Sequence, residues 1–376
     1  MGKALALLSR FNSVGTGARR LLNESLDRLQ SGFMSVRPPV DLGIVTALDH
    51  EFVAAETCMT VKIRGVGGRV VEHEAFGRAP VKFKVIEFEE HNEVFRVVLT
   101  QSIKMGNNSA AIATTAMLYE FPEVQDVLMV GIAGGIPSPL KKNDRDSRLV
   151  QDHVRLGDIF VSEQPVLQYD YVHRGGQETT NRSNPISISH RIQLAFQALR
   201  HEELRRRYPW EPIIERATAR LGRQWNRPAA KFDAPSLYDR DGNGNVVPVG
   251  QIRHPSHQPR RRRGKPMVHY GRIGSANMLL ADAMERERIR VEHGVRAVEM
   301  EGSGLADAAW NFGVGYAVVR GICDYCDAGK DNRWQMHASI CAGAYARQLV
   351  TELISARGPR PVLHTPDAPA AKRRNR

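Results

Sequence analysis

The stretch that decides the fold is Arg296-Ala297-Val298-Glu299-Met300-Glu301-Gly302, and Val318-Val319-Arg320-Gly321-Ile322-Cys323-Asp324 follows it later in the chain. Each is a short apolar run, typical of a β-strand, that ends in acidic residues. The first continues directly into a helical pattern. Because open α/β sheets place their ligands at the carboxyl ends of parallel strands, we expect Glu301 and Asp324 to lie in one cleft. Carboxylates in a cleft can bind sugar hydroxyls or donate a proton to a leaving group, so the two stretches predict an enzyme.

Strand-like and helical segments alternate along most of the chain. Strands are predicted at residues 42–47, 81–88, 95–100, 127–132, 156–162, 268–273, 295–300 and 316–322, and helices at 108–119, 187–207, 277–292, 302–312 and 337–355. The continuous apolar character of 127–132 and 316–319 favours strands that are buried on both faces. This alternation predicts an α/β fold with helices on both faces of a central sheet.

Both ends of the chain and one internal region depart from this pattern. Arg37-Pro38-Pro39 breaks any preceding helix, so we expect an N-terminal extension at 1–39 and a catalytic domain at 40–357. Residues 165–266 are rich in Arg, Gln, Pro, Asn and Gly, and we interpret them as a basic, partly helical insertion at the mouth of the sheet. Residues 358–376 are predicted to form a disordered basic tail.

Size and composition exclude several classes of protein. With 376 residues, 42% of them hydrophobic, the chain can bury a large core, and no apolar run is long enough to span a bilayer. Four cysteines do not make a disulfide framework, so we expect a reducing compartment and a cytoplasmic protein. The first 36 residues carry four arginines and two acidic residues, which resembles an organellar presequence but fits an ordinary N-terminal extension as well.

The formal net charge of +12 is concentrated in a few clusters. They lie at residues 205–223, in the run Arg260-Arg261-Arg262-Arg263-Gly264-Lys265, and in the tail at 372–374. Basic clusters attract phosphates or nucleic acid. More often they are solvated loops, so nucleic acid ranks last among the partners we expect.

Cys323 and Cys326 have the spacing of a redox or zinc motif. Zinc would require a second pair of ligands, and Cys58 and Cys341 are far apart in the sequence. We therefore predict two small residues at a strand end, and we expect neither a metal nor an organic cofactor.

The motifs resemble, in content and in order, those of the nucleoside phosphorylase/nucleosidase superfamily. The chain is most similar to the hydrolytic branch, typified by methylthioadenosine/S-adenosylhomocysteine nucleosidase. The resemblance covers about residues 40–353, interrupted by the insertion. The matching segments are Gly43-Ile44-Val45-Thr46-Ala47-Leu48-Asp49-His50-Glu51, Gly106-Asn107-Asn108-Ser109-Ala110-Ala111, Gly131-Ile132-Ala133-Gly134-Gly135, Leu156-Gly157-Asp158-Ile159-Phe160-Val161, Val298-Glu299-Met300-Glu301 and Arg320-Gly321-Ile322-Cys323-Asp324.

The resemblance implies a three-layer α/β/α fold with a central mixed sheet and cleavage of a ribosyl N-glycosidic bond. By this resemblance, Asp324 protonates the purine base near N7, Glu301 binds the ribose hydroxyls and Met300 packs under the sugar. Glu51 stands where the hydrolytic branch keeps the carboxylate that orients the attacking water. The further candidates for substrate binding are Glu299, Gly134, Gly135 and Asn277.

Three departures from the family pattern affect these expectations. Position 132 is Ile, where the hydrolytic enzymes often carry Ser. The first βα turn, residues 46–51, lacks the arginine with which phosphorylases bind phosphate, and this favours water as the nucleophile. The segment Gly274-Ser275-Ala276-Asn277 lacks an aromatic residue that could stack on a purine, so the contact to the base stays open.

The leading hypothesis is therefore a nucleosidase that acts on a small purine nucleoside or nucleotide. Phosphorolysis is one alternative, and a non-catalytic nucleoside-binding or signalling module is another. Some members of the superfamily hydrolyse ATP-type nucleotides, and the basic insertion, with Arg253 and residues 260–263, could contact a triphosphate. Members are homo-oligomers whose pockets a neighbouring subunit often completes, so we expect a homo-oligomer.

Overall fold

A computed structural model of the protein describes residues 39–63, 65–71, 82–90, 93–140, 148–175, 178–233, 236–240, 242–243, 246–252 and 254–356. The chain divides into residues 1–39 and a compact unit that begins at Val40. The predicted N-terminal extension, apart from Pro39, the predicted tail at 358–376 and Arg253 lie outside the described residues.

The strands and helices follow one another closely along the compact unit. The strands are β1 (Leu42–Thr46), β2 (Arg69–Val71), β3 (Phe83–Glu90), β4 (Glu93–Gln101), β5 (Asp126–Gly135), β6 (Ile159–Ser162), β7 (Leu167–Gln168), β8 (Val172–Gly175), β9 (Glu178–Asn181), β10 (Ser236–Arg240), β11 (Val246–Gln251), β12 (Val268–Gly271), β13 (Ile273–Ser275), β14 (Ala297–Glu299) and β15 (Gly315–Asp324). The α-helices are α1 (Asp49–Thr60), α2 (Asn107–Glu120), α3 (Arg148–Gln151), α4 (His190–Leu204), α5 (Glu211–Leu221), α6 (Ala283–His293), α7 (Gly302–Phe312) and α8 (Gln335–Ser355).

The central sheet is mixed. Its main path runs in the order β12-β6-β15-β5-β1-β4-β3-β2. β1 is parallel to β4 and β5, and β15 is parallel to β5, whereas β3 is antiparallel to β4 and β6 to β15. A branch leaves β5 at Gly134 and Gly135, where β14 pairs, and it continues through β13 to β7. Because β1, β5 and β15 are parallel neighbours, their carboxyl ends lie at one edge of the sheet.

Helices cover both faces of the sheet. α8 packs on β15 and β5 and also contacts α1, α4 and α5. α2 packs on β1 and β4, α7 packs on β5 and β15, and these two helices pack on each other. α8 lies so close to β15 that a Cβ atom at Gly321 would overlap the carbonyl group of Ala338. The predicted α/β fold with a mixed central sheet and helices on both faces is confirmed.

The apolar runs that predicted buried strands form the middle of the core. Every residue of β1 is buried, and so is every residue of β15 except its first and last. In β5, only Ile132 is partly exposed. A strand between two helical layers has no face to water, so its sequence is continuously apolar rather than alternating.

Three helices, α1, α3 and α5, were absent from the sequence prediction, and α6 begins later than predicted. α1 was not predicted, because its buried face consists mainly of the small or short side chains Ala54, Ala55 and Cys58, which give a weak periodic signal. α6 begins at Ala283 rather than at residue 277. The Asp282 side chain accepts hydrogen bonds from the backbone N–H groups of Met284 and Glu285 and so caps the helix at that point.

Residues 165–266 contain more regular structure than their composition indicates. α4 and α5 both pack on α8, and α5 also contacts α1. The same segment contains the antiparallel pairs β8–β9 and β10–β11. Both helices of this segment therefore belong to the layer that covers one face of the sheet. None of the helices in the described part of the chain is long and apolar enough to cross a membrane.

Candidate active site

A pocket lies at the edge of the sheet where β1, β5 and β15 end. Glu51 enters it from the first turn of α1, Glu301 from the residue that precedes α7, and Asp324 from the end of β15. Its lining consists of Ala47, Leu48, Glu51, Met105, Ile132, Ala133, Gly134, Tyr169, Met278, Leu279, Leu280, Val298, Glu299, Met300, Glu301, Cys323, Asp324, Cys326, Lys330 and Gln335. The fold thus brings three carboxylates from separate parts of the sequence to one concave site.

Six of the eight residues singled out from the sequence line this pocket, and two lie outside it. A Cβ atom at Gly135 would contact Ile322 and Val154, so this glycine faces the core. The side-chain oxygen of Asn277 accepts a hydrogen bond from the backbone N–H of Asn107 at 2.9 Å. Asn277 therefore holds the start of α2, while its neighbours Met278 and Leu279 border the pocket.

The Glu51 carboxylate is held by backbone N–H groups from two strand ends. One of its oxygens accepts hydrogen bonds from Ala47 at 2.8 Å and Leu48 at 2.9 Å, after β1. The other accepts from the N–H of Ile132 in β5 at 2.7 Å. Glu51 is 2% exposed. These contacts fix the carboxylate before any ligand arrives.

Arg320 lies at the centre of the three glutamates and was not predicted as a site residue. Its side chain is fully buried within β15 and forms ion pairs with Glu299 and with Glu301, the latter at 3.0 Å. Its Nη1 atom lies 3.7 Å from the Glu51 carboxylate. Burial would lower the pKa of Arg320, but the three carboxylates raise it, so the guanidinium stays charged. An arginine inside an apolar strand is the sequence signal for such a cluster, because a buried charge needs partners.

Glu299 and Glu301 differ in how their oxygens are used. Glu299 accepts hydrogen bonds from the backbone N–H groups of Glu301 and Gly302 at the start of α7, in addition to Arg320. Glu301 accepts from the N–H of Gly106 at 3.0 Å and from Arg320. Glu299 therefore acts as a cap and a counter-ion. Glu301 also accepts from the N–H of Met300 at 3.3 Å, and like Glu299 it lines the pocket.

The pKa of Glu301 is raised to about 7. Burial is the largest cause, Arg320 opposes it, and the nearby charges of Glu299 and Glu51 add to the rise. The carboxylate therefore titrates near neutral pH, which is typical of groups in functional sites.

Asp324 is oriented by the residues on either side of it. One oxygen accepts a hydrogen bond from the backbone N–H of Cys326 at 2.9 Å, and the other contacts the Cys323 thiol at 3.2 Å. Cys326 has a φ of 55°, a left-handed conformation that is uncommon outside glycine. Arg286 holds the same turn by donating to the carbonyl oxygen of Tyr325 at 2.8 Å. The strain at Cys326 directs its N–H back to the carboxylate.

The four cysteines are free, buried thiols. Burial raises the pKa values of Cys323 and Cys326 well above the usual thiol range. Both thiols are therefore protonated at neutral pH, and no group of side chains among the described residues has the arrangement of a metal site.

The wall of the pocket is mostly apolar, and one aromatic residue contributes to it. Tyr169, just after β7, lines the pocket and is 4% exposed. Sequence reasoning missed it because it lies far from the base-binding segment at 274–277. Met278 and Leu279 lie at the mouth and are about half exposed, with exposed fractions of 48% and 58%.

The arginine run of the basic insertion lies away from this pocket. Arg261 forms a bidentate ion pair with the buried Asp158, and Arg260 pairs with Glu203 at 3.4 Å. Arg262 pairs with Glu211 and stacks on the ring of Tyr208. None of them belongs to the lining. The run therefore connects the insertion to the body of the domain.

Comparison with known proteins identifies sequences that are similar to this chain. Residues 245–355 match the model of the phosphorylase superfamily. The chain is 34% identical over 262 residues to a nucleotide-binding leucine-rich repeat (NLR)-like protein of Hyaloscypha variabilis, covering 68% of this chain and 24% of that protein. It is 26% identical over 300 residues to the ATP nucleosidase Cap17 of Escherichia coli, covering 80% of this chain and 48% of that protein. The chain thus spans about a quarter and about half the length of these two relatives.

The fold is also that of solved nucleosidase structures. The 5′-methylthioadenosine/S-adenosyl homocysteine nucleosidase of Helicobacter pylori, in complex with a pyrrolidine compound, superposes with a TM-score of 0.51 at 18% identity. The match covers 84% of this chain and 100% of that chain. The chain thus combines a mixed sheet, a pocket at its carboxyl edge and a segment, residues 245–355, that matches the phosphorylase superfamily.

Proposed function

We propose that the chain cleaves the N-glycosidic bond of a purine nucleoside or nucleotide by hydrolysis. The observation that carries the proposal is that Glu51, Glu301 and Asp324 line one pocket although they come from separate parts of the sequence. If these carboxylates had faced different surfaces, an enzyme of this class would have been excluded. The similarity in sequence to an ATP nucleosidase and in fold to a nucleosidase structure supports the same reaction.

In this proposal, Asp324 is the acid that protonates the leaving purine near N7. A purine anion is a poor leaving group, so protonation by a positioned acid lowers the barrier. The sugar carbon then develops oxocarbenium character, as in glycoside hydrolysis. The contacts from Cys323 and Cys326 favour one orientation of the Asp324 carboxyl group.

Glu301 is proposed to accept hydrogen bonds from the ribose hydroxyls. Such a bond strengthens as positive charge develops on the sugar, so it stabilises the transition state more than the ground state. Only the ionised carboxylate can do this fully. Since the pKa of Glu301 is about 7, activity should rise as pH increases through neutrality.

Glu51 is proposed to orient the attacking water, and the pocket favours water over phosphate. Lys330 is the one cationic side chain among the described residues that line the pocket, and Arg320 behind it is already paired with carboxylates. A phosphate dianion would enter a site that contains four carboxylates, which is electrostatically unfavourable. Phosphorolysis is therefore the second candidate, and a non-catalytic binding module is the third.

Two kinds of purine substrate are candidates within this class, and the names of similar proteins suggest both. Cap17 is named as an ATP nucleosidase, whereas the H. pylori enzyme is named for 5′-methylthioadenosine and S-adenosyl homocysteine. The apolar mouth formed by Met105, Met278 and Leu279 favours a 5′ group without charge. Tyr169 and the apolar wall offer a surface for the base.

We further propose that the protein is a homo-oligomer through the outer faces of α2 and α7. Ile112 and Tyr119 on α2 are 54% and 76% exposed, and Trp310 on α7 is 67% exposed. The rings of Tyr119 and Phe312 meet edge to face, with centroids 5.3 Å apart. A patch of large exposed apolar residues on one pair of helices is typical of an interface.

The test of the reaction is base release from adenosine, inosine, methylthioadenosine and ATP, each with and without inorganic phosphate. Chromatography separates free base, free sugar and sugar phosphate. The proposal expects free base and free sugar in equal amounts at a rate that phosphate leaves unchanged. Release that requires phosphate would assign phosphorolysis, and no release from any substrate would favour the binding module.

A further inference from the structure

A second, strongly basic cleft lies at the β12 edge of the sheet, apart from the catalytic pocket. It has a volume of about 300 Å³ and is bordered by β12, by the residues after β6, by α3 and by residues 294–296. Five arginines line it, Arg148, Arg200, Arg260, Arg272 and Arg296, against the two carboxylates of Asp152 and Glu163. The lining therefore carries three more positive than negative charges, and it shares no residue with the catalytic pocket.

Internal partners satisfy this charge only in part. Asp152 serves two guanidinium groups, with Arg296 at 3.1 Å and Arg148 at 3.5 Å. Glu163 pairs with Arg200. Arg260 reaches Glu203, outside the lining, at 3.4 Å.

Arg272 is the least satisfied of these cations. Its Nη1 atom donates a hydrogen bond to the backbone carbonyl oxygen of His293 at 3.2 Å. Within the part of the chain that the structure describes, its Nε–H is buried without an acceptor, and so is the Nε–H of Arg200. Buried N–H groups in proteins are nearly always hydrogen-bonded, so two unsatisfied Nε–H groups on arginines that line one cleft indicate a missing acceptor.

The Arg200 guanidinium is also held in place. It lies over the ring of Tyr270, 4.3 Å from the ring centroid, and this stacking fixes its plane. A fixed guanidinium fork suits bidentate binding of a phosphate oxygen pair.

We propose that this cleft binds a compact anion with two or more linked phosphates, such as a free oligophosphate or the phosphate chain of a nucleotide. Glu203 offsets the charge of Arg260, so two guanidinium charges on the lining remain without a carboxylate, and each can bind one phosphate of a linked pair. A concave cleft of about 300 Å³ suits a short ligand, whereas a nucleic-acid backbone requires an extended basic track.

The test is calorimetric titration of inorganic tripolyphosphate into the full chain in metal-free buffer at two salt concentrations. The wild-type protein should bind one equivalent, more weakly at the higher salt concentration. Arg272→Gln and Arg200→Gln should each weaken binding by about tenfold, because each removes a charge-assisted hydrogen bond. Arg288→Gln is the matched control, since Arg288 lies on α6 and pairs with Glu285 and Glu292.

The variant Glu163→Gln tests whether weaker binding in the arginine variants results from misfolding. It removes the carboxylate that competes for Arg200, so it should tighten binding, a change that partial unfolding cannot produce. Inorganic pyrophosphate and adenosine diphosphate, titrated in the same way, carry the same number of phosphates. Equal affinity for these two anions indicates that only the phosphates are recognised, whereas tighter binding of the nucleotide that Arg272→Gln weakens adds a base contact in this cleft.

Four outcomes would overturn the proposal. The first is no saturable binding of tripolyphosphate at millimolar concentration. The second is wild-type affinity in both Arg200→Gln and Arg272→Gln. The third is loss of binding in Glu301→Gln, which would locate the anion in the catalytic pocket. Displacement by a single-stranded oligonucleotide that binds more tightly, with a steep salt dependence, would assign the surface to nucleic acid instead.

Discussion

Substitution of Arg320 by Met tests whether the guanidinium organises the three glutamates. Methionine preserves most of the buried volume of the side chain but removes the charge that balances Glu299, Glu301 and Glu51. Removing one partner of a buried ion pair costs about 3–5 kcal/mol, because the remaining charges stay buried without compensation. We expect a loss of this size in the free energy of unfolding at pH 8, together with the loss of nearly all activity.

The loss should depend on pH in a defined direction. Without Arg320, the folded-state pKa of Glu301 rises further above its unfolded value of 4.5. A carboxyl group with a raised folded pKa favours the folded state at low pH, and that contribution disappears as pH rises through the folded pKa. The deficit of Arg320→Met should therefore be smaller at pH 5.5 than at pH 8, by at least about 1.4 kcal/mol if one more proton is bound over one pH unit.

Urea unfolding curves at pH 5.5 and pH 8 measure both quantities, with Arg288→Met on the exposed side of α6 as the control. Equal deficits at the two pH values would refute the reasoning, because they would show that the cost is lost packing rather than unbalanced charge. Wild-type stability in Arg320→Met would exclude the ion-pair cluster altogether.

Three further predictions follow from the same contacts. In Gly131→Ala, the new methyl group would overlap both Arg320 and Glu51, so a loss of about 1–3 kcal/mol in urea unfolding and of most activity is expected; full activity would show that the site can relax. Glu301→Gln should lower kcat/KM by about 100-fold. It should also remove the decline in the free energy of unfolding between pH 5 and pH 8 that the wild-type carboxylate causes, and a decline as steep as in the wild type would contradict the raised pKa. Trp310→Glu should shift the protein to a smaller species in light scattering, whereas Val291→Glu, also at a position 67% exposed, should not; equal masses in both variants would count against the α7 interface.

The fold was predictable because its main signals are local. Residues 127–132 and 316–319 are continuously apolar, and the buried strands β5 and β15 include them. The acidic residues at the ends of apolar runs were predicted to converge, and Glu301 and Asp324 line one pocket. These features depend on chain periodicity and on the rule that parallel strands end at the same edge.

The rest of the site depends on contacts between distant residues. The role of Arg320 depends on its ion pairs with three glutamates that lie elsewhere in the sequence. Tyr169 lines the pocket because the short strand β7, which precedes it, pairs with β13. In the insertion, Arg261 is explained by a buried aspartate more than a hundred positions earlier in the chain. From composition alone we predicted a solvated basic loop in this segment. The sequence of a charge cluster does not reveal which distant carboxylates pair with it.

The most direct test of the central claim is a comparison of base release by the wild-type protein, Asp324→Asn and Asp331→Asn on the best substrate of the panel. Asp331 is an exposed aspartate a few residues downstream that accepts a hydrogen bond from the N–H of Arg333, so it controls for the loss of a charge near the site. The account predicts that Asp331→Asn releases base at the wild-type rate, while Asp324→Asn is slower by at least about 100-fold and unfolds at the same urea concentration as the wild type. Turnover at the wild-type rate in Asp324→Asn would contradict the assignment of Asp324 as the acid.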